Sequence, residues 1–100
     1  MSASSKRTRN RTPQSPPTFA FAARWREELV CTAAGGSFVL ELTMGELTAY
    51  LPTEDAWQAR APDWARPLWR VLHVELQAWC RQNKARLVLD SGASIFPAAA

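Results

Sequence analysis

Apolar and polar residues alternate along the stretch from Leu29 to Leu51. Leu29, Cys31 and Ala33 bracket Val30 and Thr32. Phe38, Leu40 and Leu42 then bracket Val39 and Glu41, and Leu47, Ala49 and Leu51 bracket Thr48 and Tyr50. A period of two marks strands with one buried face. A two-residue turn at Gly35-Gly36 sets Ala33 opposite Phe38, Cys31 opposite Leu40 and Leu29 opposite Leu42. A second turn at Met44-Gly45 sets Leu42 opposite Leu47, Leu40 opposite Ala49 and Phe38 opposite Leu51. Both registers turn the same side of the middle strand inward. Glycine at each turn provides the positive φ that tight hairpins use. The pattern therefore predicts a three-stranded antiparallel β-meander. Its other face, with Val30, Thr32, Val39, Glu41, Thr43, Glu46, Thr48 and Tyr50, is mixed and expected to be solvated.

The segment before the meander supports two readings. Phe21, Trp25 and Leu29 form a helical stripe with Arg24 and Glu28 as an i, i+4 pair, whereas Phe19, Phe21, Ala23 and Trp25 alternate as in a strand. Continuity with the meander favours the strand. After Pro52 the period changes. Thr53 is an expected N-cap, with Glu54 and Asp55 in the first turn of a short helix ending near Arg60. Asp63 is an expected cap for a longer helix running to about Asn83, with Pro67 tolerated near its first turn or delaying its start to Arg66. Residues 86–90 read as a final short strand, and Ile95 and Phe96 as residues that dock on the domain. The fold class is α+β: the meander covered by a short and a long helix, plus a final short strand.

Counted at 100° per residue from Trp64, the residues Trp64, Leu68, Val71, Leu72, Ala78 and Trp79 share a face roughly 120° wide. Val74 lies on one flank, and Leu76, Trp69 and Cys80 on the other. The apolar arc thus approaches about 240°, more than one sheet face needs to cover. The short helix, a second copy in a homodimer or a partner protein could bury the excess. Glu75 falls in the middle of the apolar face, where a carboxylate needs a partner; Arg24 or Arg86 is expected to pair with it. The remaining stripe holds Arg66, Arg70, Gln77 and Arg81 with His73 beside them, bordered by Trp69. Such a stripe is either a solvated face or a contact surface, and Trp and Arg are enriched at binding hot spots.

Charge divides the chain. Across its 100 residues, 12 Lys and Arg oppose 9 Asp and Glu, a net of +3. Residues 1–17 carry Lys6, Arg7, Arg9 and Arg11 and no acid, so the remaining residues are close to neutral at −1. This segment reads as a disordered basic tail, residues 18–96 as one domain and residues 97–100 as a loose end. The tail can contact nucleic acid phosphates without sequence preference, and Trp25 and Trp69 could offer stacking surfaces. No uncharged run is long enough to span a bilayer, and no apolar run follows the basic residues as in a secretory signal. Ten Arg against two Lys, 17 Ala and one Ile suggest a GC-rich coding sequence, hence a bacterial, cytoplasmic protein.

Catalytic chemistry has little to build on. A lone His73 excludes a paired-histidine metal site, and Cys31 and Cys80 fit no zinc spacing. His73 and Cys80 share a helix face but stand about 10 Å apart along it. Gly35-Gly36 lacks the lysine and following helix of a phosphate loop. The expected function is therefore a small non-enzymatic protein-binding module, of inhibitor, immunity-type, accessory or adaptor character, without metal or cofactor. Its contact residues would be Arg66, Trp69, Arg70, His73 and Arg81. The alternative is a small nucleic-acid-binding regulator using the tail and the arginine stripe.

Overall fold

The computed structural model describes residues 17–24 and 27–97. Lys6, Arg7, Arg9 and Arg11 of the tail, Trp25, and residues 98–100 lie outside the described residues, and with them the expectations placed there.

The architecture is α+β, with strands β1 (Ala20–Arg24), β2 (Glu28–Ala33), β3 (Gly36–Thr43) and β4 (Thr48–Leu51) in sequence. Helix α1 (Glu54–Arg60) and helix α2 (Trp69–Gln82) follow, then β5 (Arg86–Leu89) and β6 (Ile95–Pro97). The sheet order is β1-β2-β3-β4-β5, with β6 also paired to β3. The ambiguous N-terminal segment is thus a strand. Arg24 and Glu28 face each other across the β1–β2 hairpin and form an ion pair at 2.8 Å. Four-residue spacing, which a helix would also favour, here spans a hairpin loop that contains Glu27 at φ 62°.

Both expected hairpin registers are displaced by two residues. Cys31 pairs with Phe38 and Leu29 with Leu40, around a turn at Ala34-Gly35. Leu42 pairs with Ala49 and Thr43 with Thr48, around a four-residue loop, Met44–Leu47. A shift of two keeps every side chain on its face, so the buried face forms as the alternation demands. Among the described glycines the positive φ belongs to Gly36 (149°), not to Gly45. Tight packing also acts on this turn, since a Cβ on Gly35 would lie 2.7 Å from Trp64 Cε3. The Trp64 ring rests on the backbone of the hairpin.

β4 leaves β3 after two pairs, and Phe38 therefore does not meet Leu51. Phe38, Val39 and Leu40 pair instead with Pro97, Phe96 and Ile95 of β6. One edge of β3 is thus shared by two strands from distant parts of the chain. β5 lies parallel to β4, and such a pair needs a long crossover, which the two helices supply. α1 begins at the expected cap, the Thr53 hydroxyl accepting from the Ala56 N–H at 3.5 Å. Its Arg60 donates to the carbonyls of Ala93 (2.9 Å) and Ser91 (2.7 Å), tying the helix to the β5–β6 loop.

The long helix starts later than Asp63 implies. Residues 63–65 form a turn, and Arg66–Leu68 a 3-10 turn in which Pro67 has no N–H to give. Asp63 caps nothing and pairs with Arg66 at 2.9 Å. Trp64 is therefore not helical, and a helical wheel anchored on it is misphased by about 100°, one residue's rotation. The buried stripe is Leu72, Leu76 and Cys80, spaced four apart. It closes the core together with Leu29, Cys31, Phe38, Leu40, Leu42, Ala49 and Leu51 of the sheet. Trp57 of α1 is wholly buried beside Phe38 (5.2 Å, edge-on) and donates its indole N–H to the Ala65 carbonyl at 3.0 Å.

Candidate functional site

The rotation of α2 redistributes the residues that the sequence singled out. Val71 and Val74, expected at the core or its margin, are 38% and 65% exposed. They lie on the side of the helix away from the sheet, flanked by Arg70 and Glu75, and these four residues line a shallow groove of about 350 Å³. Ala78, half-buried, continues the strip one turn later, and Arg81 is exposed beyond it. The excess apolar arc is real, but it faces solvent rather than α1.

The expected contact residues do not form one surface. The Trp69 indole N–H donates to the Pro52 carbonyl at 2.9 Å, and its ring packs against the core. His73 lies against that ring, centroids 4.9 Å apart, so both are half-buried on the flank toward β4. Arg66 sits in the 3-10 turn with its Nε buried and without a hydrogen-bond partner. Arg70 reaches Glu54 at 3.4 Å with most of its side chain in solvent. Arg70 and Arg81 thus accompany the exposed valines, whereas Trp69 and His73 look inward. The difference has the same origin as the helix phase, because Trp64 lies in a turn and not in the helix.

Glu75 is resolved differently from the expected ion pair. Arg24 is engaged by Glu28 and Arg86 by Glu46 at 3.1 Å. The Glu75 carboxylate instead accepts two backbone N–H groups: Thr18 at 2.9 Å on one oxygen and Phe19 at 2.7 Å on the other. It holds the chain where it joins the domain, and places Phe19 in the core against Phe38 (centroids 5.9 Å). The helix rotation puts Glu75 at the margin of the buried face, where this contact is within reach. Beside it Pro17, Phe19, Phe21, Ala78, Trp79 and Gln82 line a groove of about 280 Å³.

The two cysteines are free and buried, and burial pushes both thiols up from their ordinary range. A thiol that stays protonated at neutral pH is a poor nucleophile and a poor metal ligand. Among the described residues no group of three or more His, Cys, Asp or Glu is placed to hold a metal ion. No helix there is long and apolar enough to cross a membrane. Compared with protein-family models, curated proteins and solved structures, the chain matches none.

Proposed function

We propose that this chain is a non-enzymatic protein-binding domain whose contact surface is the outer face of α2, built from Arg70, Val71, Val74 and Arg81. The observation that supports it is the pair of exposed valines on a helix whose opposite face already closes the core. Apolar side chains displayed on a well-packed helix, bordered by charge, suit recognition of a complementary protein face. Trp69 and His73 support the helix from within rather than touching the partner.

The test compares proteins retained by the immobilised full chain and by its Val74→Asp and Arg81→Glu variants, each checked for an unchanged melting temperature. Selective loss of an identified partner from both variants supports the reading. Equal retention by wild type and variants removes this face.

A further inference from the structure

Resting on that reading, we infer that the occupant of the α2 face is a second copy of this chain, docked with the two helices parallel. The exposed Val71 and Val74 and the half-buried Ala78 are spaced three and then four residues apart, the interval of a two-helix seam. Arg70 precedes this seam on one flank, and Glu75, five residues later, follows it on the other. In a parallel pair, a residue on the leading flank of one helix meets the residue five positions on in the other helix. Arg70 of each copy then faces Glu75 of its neighbour, giving two cross-helix charge pairs, and Gln77 faces Gln82 one heptad on.

The reverse orientation is disfavoured by the same residues. An antiparallel pair sets each flank against itself, so that Arg70 of neither copy meets Glu75 of the other. Both members of the parallel charge pair keep capacity for it. Arg70 is largely in solvent and only 3.4 Å from Glu54. Among the described residues each Glu75 oxygen accepts one N–H, which leaves a lone pair on each. The seam faces away from the sheet, so the two sheets lie outside and the helices meet in the middle. Arg81, next in the repeat, meets its own counterpart in a parallel pair, and this like-charge contact ends the seam after about two turns. Such a short interface makes a reversible, concentration-dependent dimer.

The experiment is sedimentation velocity of the full chain over a wide concentration range, beside Val74→Asp, Arg70→Glu and oxidised Val74→Cys. The expected result is a mass rising from monomer toward dimer for wild type, and a monomer throughout for Val74→Asp. Arg70→Glu should weaken association by about tenfold, since it sets like charges together. Val74→Cys should form a disulfide-linked dimer, because a parallel seam places equivalent positions side by side. The native cysteines are buried and do not compete. Unchanged melting of Val74→Asp and Arg70→Glu separates these outcomes from misfolding.

A wild-type chain that stays monomeric, or a dimer indifferent to Val74→Asp, overturns the inference. A dimer that Arg70→Glu leaves intact overturns the parallel register. If the chain is monomeric while Val74→Asp still abolishes capture of an identified, different protein, the second copy is refuted and the proposed contact face survives. If neither self-association nor capture depends on Val74, both fall.

Discussion

Replacing Glu75 with Ala tests how the N-terminal end of the domain is held. The carboxylate accepts from the Phe19 N–H, which is partly buried, and from the Thr18 N–H, which is exposed. Hydrogen bonds to a charged acceptor contribute roughly 1.5–3 kcal/mol where water cannot substitute, and less in solvent. Water replaces the Thr18 contact at a cost of about 0.5 kcal/mol, whereas the Phe19 amide loses about 1.5–2 kcal/mol. The expected total is about 2–2.5 kcal/mol. With a urea slope near 1 kcal/mol/M for a domain of this size, the midpoint should fall by about 2 M. Glu75→Gln, which keeps one acceptor oxygen, should lose about half as much. Hydrogen exchange adds a local readout: the Thr18 and Phe19 amides should lose protection in both variants, well before the β2 and β3 amides do. A loss below about 0.5 kcal/mol for Glu75→Ala, with exchange at these two amides unchanged, would refute the reasoning.

Four further outcomes are expected. Gly35→Ala drives a methyl group into the Trp64 ring, 2.7 Å from Cε3, and should destabilise by about 1–3 kcal/mol, read by denaturant unfolding. Lys84→Gly should stabilise by about 0.5–1 kcal/mol in the same assay, because Lys84 holds φ 57° at the end of α2, where the Ala85 N–H bonds the Cys80 carbonyl at 2.8 Å. Stability should fall as pH rises above about 8.5: the unfolded Cys31 thiol ionises there while the buried one stays protonated, so the native state binds more protons. The slope approaches about 1.4 kcal/mol per pH unit for this thiol, and a Cys31→Ala chain should lack its share in pH-dependent melting. Finally, a non-specific duplex DNA affinity carried by the tail should show a log–log salt slope no steeper than about −3.6 in fluorescence anisotropy and vanish when Lys6, Arg7, Arg9 and Arg11 are together replaced by Ala.

The legible parts of this fold are those where a local period carries the information. The inward faces of β2, β3 and β4 follow from alternation, and the Thr53 cap from its hydroxyl and the acids behind it, but Val39 and Thr48 of the expected solvated face are buried as well. Registers were less legible, because a shift of two residues leaves every face unchanged and alternation cannot distinguish the two alignments. β6 was invisible as a strand, since three residues carry no period and its partner lies more than 50 residues upstream. The phase of α2 was lost at Trp64, an apolar residue at a helical interval that belongs to a turn and packs on Gly35 and Gly36 instead. Glu75 was legible as a residue needing a partner, but side-chain pairing rules name arginines and cannot point to two main-chain amides. The pattern assigns Val71 to the core stripe and Val74 to its flank, and only the true rotation of the helix shows that both are exposed.

The shared edge of β3 has a consequence for how the chain acquires its shape during synthesis. β2 and β3 close on each other from neighbouring sequence as soon as they emerge. The main-chain groups of residues 38–40 that face β6, however, have no partner until residues 95–97 have been made. An emerging chain therefore carries an open strand edge in its central strand through the production of both helices, the interval in which another nascent chain could pair with it. Completion of the last strand removes that hazard, and the tie from Arg60 to the Ser91 and Ala93 carbonyls shortens the search by holding the preceding loop beside α1.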